Sequence, residues 1–250
     1  MNIIFLGTGE FGTTILQGLV KNNYKPILVH DFKKTEKLKP DLVIVASYGK
    51  IIPKKILEIP KYGCLNVHPS LLPKYRGPSP IQTTILNGDK KTGVTIILMD
   101  EKIDHGPIIS NSKFEIRNSK LTYGELNVKL AKLGVKLLIE TIPKWIRGEI
   151  KIKPQDHSKA TYTKILKRED GKIDWSKSAQ EIERQVRAFN PWPGTFTFIK
   201  HKNKTLRIKV LEADISKDNK LIIKKLQPEG KKAMSFEEFK RGYHDFDPIL

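Results

Sequence analysis

The sequence is poor in cysteine and has no long hydrophobic run. Its single cysteine, Cys64, cannot form a disulfide within the chain, and no group of Cys and His residues has the spacing of a zinc site. We therefore expect no metal and a reducing compartment, the cytoplasm. No stretch approaches the roughly 18 apolar residues that a membrane-spanning helix needs. The apolar start, MNIIFLGTGEFG, lacks the basic segment of a signal peptide, so we expect a first buried strand there and no membrane partner.

Acidic residues are scarce relative to basic ones. The chain has 46 Lys+Arg against 27 Asp+Glu, a formal net charge of +19, and residues 151–250 alone carry 23 basic and 14 acidic residues. A field of this sign attracts polyanions, either nucleic acid or an anionic membrane surface. On charge alone, a general enrichment in lysine that only solvates the surface is the alternative interpretation.

Short apolar runs alternate with helical patterns over the first 150 residues. This alternation is typical of an α/β fold with a Rossmann-like, mainly parallel sheet whose strands are buried on both faces. The predicted strands are 2–7, 26–30, 41–46, 63–67 and 93–99, and the predicted helices are 11–21, 79–87 and 120–147.

The pattern changes after about residue 150. Residues 154–168 are polar and without a clear period, which predicts a linker, and 178–189 predict an amphipathic helix. Short alternating runs at 195–199, 205–211 and 220–226 predict a small barrel or sheet. We therefore predict a catalytic domain of residues 1–153, a linker of 154–168 and a β-rich basic domain of 169–250.

A glycine-rich loop follows the first predicted strand. Residues Gly7 to Gly12 read G-x-G-x-x-G, and Asp31 follows at a distance close to that of a dinucleotide-binding fingerprint. Alone, the loop favours an NAD-dependent oxidoreductase or a non-catalytic nucleotide-binding module. Alternatively, the glycines only make a tight turn and let a helix pack on a strand. Because Asp31 leads directly into FKKTEKLKP, a span too short for another βα unit, we do not expect NAD.

Polar side chains follow two of the predicted strands. Asn66 and His68 are two residues apart at the end of a strand, so their side chains leave the same face, at the edge where α/β proteins bind ligands. Asp104 follows another strand in a loop closed by Gly106 and can reach the same crevice. A single histidine after a strand is more often structural than catalytic. The prediction of a catalytic site therefore depends on the combination of Asn66, His68 and Asp104.

An amide, an imidazole and a carboxylate suit the transfer of a formyl group between two nitrogens. Asn66 can donate a hydrogen bond to the oxyanion of the tetrahedral intermediate, and His68 can do the same or act as an acid. Asp104 can hold His68 and relay protons through water. No covalent intermediate is needed.

The stretch NVHPSLLPKYRGPSPIQTTILNGDKKTGVTI, with the later IDHGPII, resembles the catalytic core of the folate-dependent formyltransferases. The resemblance implies that Asn66, His68 and Asp104 form the catalytic triad and that 10-formyltetrahydrofolate is the donor. It also implies two folate-binding segments. These are the loop of Ser70, Leu71, Leu72 and Pro73, and the pterin-binding turn of Tyr48, Gly49, Lys50 and Ile51.

The C-terminal half resembles the members of this superfamily that act on methionyl-tRNA, through ATYTKI (160–165), DGKIDW (170–175), RAFNPWPG (187–194) and LQPEGKKAM (226–234). The resemblance implies an OB-like C-terminal domain, a charged initiator tRNA as partner, and Phe11 beside the methionine side chain. We also expect a monomer. The candidate tRNA contacts are Arg76, Lys164, Lys167, Arg168, Lys202, Lys204, Arg207 and Lys209.

The sequence departs from the family pattern at two places. Gly9 stands where the family usually has proline, and the chain passes from His30 to Asp41 where relatives carry a long basic loop and another βα stretch. This shortening favours an alternative, a sugar-nucleotide N-formyltransferase with the same donor and triad. The basic balance of 151–250 and the LQPEGKKAM run argue against it.

Overall fold

The computed structural model describes residues 1–116, 120–201 and 204–243, which form two compact units. The first unit comprises Met1–Ile81, Lys90–Asn118 and Glu125–Ile165. The second comprises Gln82–Asp89, Ser119–Gly124 and Leu166–Leu250. Two short segments of the N-terminal half therefore belong to the second unit, an interleaving that the predicted division at 153 and 169 did not include.

The first unit is built on a six-stranded sheet with the strand order β2-β1-β3-β4-β5-β6. The first four of these strands are parallel, whereas β5 and β6 are antiparallel to their neighbours. The strands are β1 Ile3–Gly7, β2 Ile27–Leu28, β3 Leu42–Ala46, β4 Cys64–His68, β5 Lys91–Leu98 and β6 Ile108–Glu115. The helices of this half are α1 Gly9–Lys21, α2 Phe32–Leu38, α3 Lys54–Leu57, α4 Pro80–Leu86 and α5 Tyr123–Ile146.

The central strands are buried on both faces. Every residue of β1, β3 and β4 is buried, as expected for apolar runs covered by helices on both sides. The predicted Rossmann-like, mainly parallel sheet is thereby confirmed. The run 26–30 is different, because only Ile27 and Leu28 pair with β1, and both side chains are exposed. The prediction of a fully buried strand there was wrong, since β2 lies at the edge of the sheet.

The connection between β2 and β3 contains a short helix. Asp31 caps α2 by accepting a hydrogen bond from Lys33 N at 2.8 Å, and Thr35 is fully buried. The expectation that this span was too short for a βα unit was wrong. A five-residue strand is about 16 Å long, and two turns of helix plus three extended residues cover about that distance.

The glycine-rich loop allows close packing of α1. A Cβ at Gly7 would lie 2.7 Å from the carbonyl oxygen of Ala46 on β3, and a Cβ at Gly12 would lie 2.9 Å from the same atom. Both glycines therefore serve the approach of helix to strand, and Asp31 serves as a helix cap. The role of the glycines agrees with the alternative interpretation, in which they make a tight turn and let a helix pack on a strand.

The second unit contains an antiparallel four-stranded sheet in the order β10-β9-β8-β7. Its core joins the sheet to two helices and includes Ile182, Val186, Val210 and Phe239. The predicted β-rich C-terminal region is confirmed, and Lys172 adds a parallel bridge to Phe196 of β7. The elements are α6 Ala179–Phe189, β7 Thr195–His201, β8 Lys204–Ile215, β9 Leu221–Pro228, β10 Met234–Ser235 and α7 Phe236–Gly242. Across the described ranges, none of the helices is long and apolar enough to span a membrane.

Candidate active site

Asn66 and His68 lie at the carboxyl end of β4, between β3 and β5. Asn66 Nδ2 donates a hydrogen bond to Asp104 Oδ1 at 2.9 Å. His68 Nδ1 lies 3.6 Å from the same oxygen. The structure thus brings together the three residues that the sequence singled out, at the edge of the sheet where α/β folds bind ligands.

Asp104 is oriented by the backbone as well as by the triad. It lies in the loop between β5 and β6 in a left-handed conformation, with φ of 48°. Its second carboxylate oxygen, Oδ2, accepts a hydrogen bond from Gly77 N at 2.7 Å. Gly106 closes the loop, because a Cβ there would collide with the carbonyl of Leu98. Both oxygens of the carboxylate are therefore held.

The contacts of His68 determine which nitrogen can change its protonation. Its Nε2 lies 2.8 Å from the carbonyl oxygen of Tyr75. A carbonyl only accepts, so Nε2 must carry a hydrogen in this arrangement. Nδ1, which faces Asp104, is then the nitrogen that can gain or lose a proton.

The predicted folate loop is attached to β5 by Thr95. The hydroxyl of Thr95 donates to the carbonyl of Ser70 at 2.7 Å and accepts from the amide of Leu72 at 3.1 Å. Ser70 and Leu72 are both buried, and the Ser70 hydroxyl donates to the carbonyl of Lys74 at 2.6 Å. The Leu72–Pro73 peptide bond is cis. The side chains of Ser70 and Leu72 therefore shape the loop from within.

The other predicted folate segment is a partly exposed turn after β3. Tyr48 is buried and donates its hydroxyl to the carbonyl of His30 at 3.1 Å, and burial raises the pKa of Tyr48. Gly49 has φ of 71°, Lys50 Nζ lies 5.8 Å from the centroid of the Tyr48 ring, and Ile51 is 70% exposed. The turn presents backbone and an unusually exposed apolar side chain to solvent. Phe11, the candidate methionine contact, lies buried on α1.

Arg76 is not on the surface, contrary to the prediction of a tRNA contact. Its side chain is buried, and its Nη2 donates to Gln155 Oε1 at 2.7 Å and to His157 Nδ1 at 2.8 Å. Its Nη1 donates to the hydroxyl of Tyr162 at 3.2 Å. A guanidinium stays charged and has five N–H groups, so its burial requires such partners. Arg76 therefore has an internal role in this structure.

The segment expected to be a linker packs against the proline-rich loop. Arg76 N donates to the carbonyl of Thr161 at 2.9 Å, and Thr163 N donates to the carbonyl of Arg76 at 2.7 Å. Thr161 N also reaches the carbonyl of Pro73 at 3.3 Å. Residues 155–163 thus belong to the site, and Gln155 is a residue that sequence reasoning missed. A signal was present in the sequence. ATYTKI (160–165) resembles a family motif, and such a motif is not expected in a linker that makes no contacts.

The candidate tRNA contacts outside Arg76 have different surroundings. Lys164, Lys167, Arg168, Lys204 and Lys209 are exposed. Arg207 is partly buried and stacks on the ring of Phe196, with its guanidinium carbon 3.8 Å from the ring centroid. Lys202 lies outside the described residues. Within the described ranges, no group of three or more His, Cys, Asp or Glu side chains could hold a metal ion.

Two family models match the chain. The formyl transferase model matches residues 30–142, and the model of the formyl transferase C-terminal domain matches residues 165–221. The first match contains Asn66, His68 and Asp104, and the second contains most of the basic candidates. The fold and the site therefore define a formyl-transferring enzyme, as predicted.

Curated relatives extend over nearly the whole chain. The methionyl-tRNA formyltransferase of Bacillus velezensis is 38% identical, with 96% of this chain and 94% of the relative covered. That of Bacillus subtilis is 35% identical, with 97% and 95% covered. The chain belongs to the methionyl-tRNA formyltransferase family, which confirms the predicted family and enzyme class.

Solved structures share the fold. A methionyl-tRNA formyltransferase from Clostridium thermocellum matches with a TM-score of 0.69 at 22% identity, covering 94% of this chain and 99% of that one. HypX from Aquifex aeolicus in complex with tetrahydrofolic acid matches with a TM-score of 0.77 at 19% identity, covering 97% of this chain. The chain spans 48% of that HypX chain, about half of its length. An N-formyltransferase from Helicobacter canadensis, with folinic acid and dTDP-3-aminofucose, matches with a TM-score of 0.68 at 21% identity, covering 86% of this chain and 88% of that one.

This chain is shorter than its relatives. The alignment with the Bacillus velezensis protein runs over 299 positions, more than the 250 residues of this chain, so it contains gaps where the relative has additional residues. The formyl transferase model begins to match at residue 30, directly before the short connection that contains α2. The gaps agree with the interpretation that this chain is a short form of the family.

Proposed function

We propose that the protein transfers the formyl group of 10-formyltetrahydrofolate to the amino group of methionine on charged initiator tRNA. The observation that carries the proposal is the convergence of Asn66, His68 and Asp104 at the carboxyl end of β4. It is supported by the similarity to curated methionyl-tRNA formyltransferases of which this chain covers 94% or more.

The reaction needs a group that stabilises the developing oxyanion. The amino nitrogen attacks the formyl carbon, a C–N bond forms, and the electron pair of the carbonyl moves onto its oxygen. Asn66 uses one N–H for Asp104 Oδ1, so its second N–H is left for that oxyanion. His68 Nδ1, when protonated, is a second donor on the same side of β4.

The reaction also needs a route for one proton. The attacking amine loses a proton, and the donor nitrogen takes one up as its bond to the formyl carbon breaks. The Asp104 side chain is more accessible than that of His68, at 12% exposure against 5%. We assign to Asp104 the acceptance of the amine proton through water and to His68 its return to the leaving nitrogen. Atoms and charge then balance without a metal or NAD.

The donor binds along two segments. The backbone of Gly49 and Ile51 lies at the exposed turn after β3, and Leu71 and Pro73 are the partly exposed residues of the loop held by Thr95. Because this loop is fixed by buried hydrogen bonds, we infer that the donor site is largely formed before binding. Phe11 is assigned to the methionine side chain and the exposed basic residues of 164–209 to tRNA phosphates. The protein acts as a monomer in the cytoplasm.

The direct test is incubation of the purified protein with 10-formyltetrahydrofolate and methionyl initiator tRNA, followed by detection of formylmethionine. Product that depends on both substrates is the expected result. An uncharged tRNA serves as the control, because it has no amino group to accept the formyl group. Absence of product with a folded protein that binds the donor would contradict the acceptor assignment.

A sugar-nucleotide N-formyltransferase is the second candidate. The shortened connection after His30 favours it, because a smaller acceptor does not require a long basic loop. A parallel incubation in which a dTDP-linked amino sugar replaces the tRNA separates the two. Formylation of the amino sugar at a kcat/KM above that for methionyl-tRNA would establish this alternative.

A further inference from the structure

Hydrogen bonds link both the side chain and the backbone of Asp104 to one short stretch of chain, Arg76 and Gly77. Its carboxylate accepts directly from Gly77 N at 2.7 Å. Its carbonyl accepts from Gln155 Nε2 at 2.8 Å, and Gln155 is in turn bound by the guanidinium of Arg76. Side chain and main chain of Asp104 are therefore fixed against the same two residues, one directly and the other through Gln155.

Gln155 spans the loop that carries Asp104. The two hydrogens of its Nε2 reach the carbonyls of Asp104 at 2.8 Å and of Gly106 at 2.7 Å. These carbonyls belong to the residues on either side of His105, so the Gln155 amide bridges the two ends of the turn. Gln155 is only 5% exposed, and solvent is a poor replacement for these bonds. The left-handed φ of Asp104, 48°, is held by this bridge.

Arg76 determines which way the Gln155 amide points. A guanidinium only donates, so the atom facing its Nε at 3.2 Å and its Nη2 at 2.7 Å must be the amide oxygen. The amide nitrogen then faces the two carbonyls. With two acceptors for its hydrogens and two donors to its oxygen, Gln155 has its full set of partners in one orientation.

We propose that Gln155 is a positioning residue that sets the Asp104 carboxylate against Asn66 and His68, with Arg76 fixing the orientation of the amide. This rests on the role proposed for Asp104 in the transfer. Without the bridge, the loop relaxes from its left-handed turn and the carboxylate leaves the oxygen position that Asn66 and His68 share. A displacement of about 1 Å at a reacting group is enough to lower a rate by roughly 100-fold.

The first test compares Gln155→Ala with a matched variant, Gln185→Ala. Gln185 Nε2 makes the same kind of bridge in the second unit, to the carbonyls of Asp170 at 2.9 Å and Lys172 at 3.2 Å. Both variants lose one amide that spans two carbonyls and both should melt at a lower temperature. We expect Gln155→Ala to lower kcat by roughly 10- to 100-fold with the KM for 10-formyltetrahydrofolate unchanged, and Gln185→Ala to keep its kcat. Equal kcat values in the two variants would overturn the proposal.

The second test places Gln155→Ala in an Asp104→Ala background. Because Gln155 acts through Asp104, the double variant should be no slower than Asp104→Ala alone. A further loss of roughly tenfold or more in the double variant would mean that Gln155 supports the site by another route and would overturn the proposal.

Gln155→Glu decides the matter if Gln155→Ala does not fold. The carboxylate keeps the pairing with Arg76, which supports the fold, but presents an oxygen to the two carbonyls, so the bridge becomes repulsive. We expect a loss of kcat similar to that of Gln155→Ala, and wild-type kcat would overturn the proposal. A fully active Asp104→Ala would refute the proposed role of Asp104, and this inference with it. An inactive Asp104→Ala together with a Gln155→Glu of wild-type kcat would refute this inference alone.

Discussion

At the scale of single residues, the Asp104 carboxylate is the centre of the site. One oxygen is shared by Asn66 and His68, and the other accepts the amide of Gly77. Two hydrogen bonds, one to each oxygen, hold the carboxylate in this orientation. Each of these bonds limits the rotation of the side chain, so Asn66 and Gly77 set the direction in which the carboxylate faces His68.

Removal of any member of the triad should abolish most of the transfer. We expect Asn66→Ala, His68→Ala and Asp104→Ala each to fold and to lose about 100-fold or more in kcat, the usual scale for a positioned oxyanion donor or proton relay. Single-turnover formylation of methionyl-tRNA measures the loss, and thermal melting verifies the fold. A His68→Ala protein with near wild-type turnover would refute the assignment.

Cys64 should be inert although it lies two residues before Asn66. Its side chain is 1% exposed, and burial raises the pKa of Cys64 to about 12. Near pH 8 the thiolate fraction is therefore about 10⁻⁴. We expect no reaction with Ellman's reagent in the folded protein and full reaction in guanidinium chloride. Rapid labelling of the native protein would show that β4 opens readily.

The same thiol affects stability at high pH. The unfolded thiol ionises near about pH 8.5, whereas the folded one stays protonated until about pH 12. The folded state thus binds more protons in this window, and the free energy of unfolding falls as the pH rises through it. Cys64→Ala should remove this part of the pH dependence, which parallel urea titrations of the two proteins would measure.

At the scale of elements, the folate loop depends on one hydroxyl of β5. Thr95 is fully buried and serves both Ser70 and Leu72. Leu72 itself is buried, so its replacement by Asp would destabilise the fold before it reported on the donor. Thr95 is the better position at which to probe the loop.

Thr95→Val keeps the shape of the side chain and removes the hydroxyl. The carbonyl of Ser70 and the amide of Leu72 lose a buried partner, which should lower the free energy of unfolding by about 1–3 kcal/mol. The loop should then loosen and the Kd for the folate donor should rise, with the KM for methionyl-tRNA unchanged. Thr197→Val is a control in β7, where the hydroxyl accepts the indole N–H of Trp175. An equal Kd for the folate donor in the wild type and in Thr95→Val would mean that the loop does not contribute to donor binding.

The sequence predicted the elements whose buried residues form a pattern that neighbouring positions of the chain reveal. The fully buried β1, β3 and β4 and the long α5 were found, and the spacing of two placed Asn66 and His68 on one face. By contrast, β6 lies at an edge of the sheet with Ile109 as its one buried residue, and α7 has only two turns, so neither gave a clear signal.

The contacts of Gln155 could not be predicted from local patterns. It binds Asp104 and Arg76 across 51 and 79 residues of sequence. The polar composition of its segment resembles that of any linker. Asp104 was found from its place in a loop after a strand and from its combination with Asn66 and His68, since an Asp before His-Gly is ordinarily a turn former. Long-range hydrogen bonds such as these become visible only when the chain is folded.

At the scale of the whole molecule, the net charge of +19 poses the question of which basic residues matter. Arg76 is buried, and the guanidinium of Arg207 stacks on Phe196, so two of the predicted tRNA contacts have internal partners. The remaining exposed candidates of the second unit are Lys167, Arg168, Lys204 and Lys209. If these four bind phosphates, their contribution must be electrostatic, dependent on salt and insensitive to sequence.

Reversal of these four residues to Glu should raise the KM for methionyl-tRNA many-fold and leave the KM for the donor unchanged. Each phosphate contact that is lost should flatten the plot of log affinity against log salt by about 0.9. The matched control reverses Lys21, Lys25, Lys132 and Lys136, four exposed lysines of the first unit, which changes the formal net charge by the same amount. A KM that rises only in the first variant locates the binding surface, because net charge is then excluded as the cause. A KM for tRNA that barely moves in either variant would mean that the lysines only solvate the surface, and the amino-sugar acceptor would gain support.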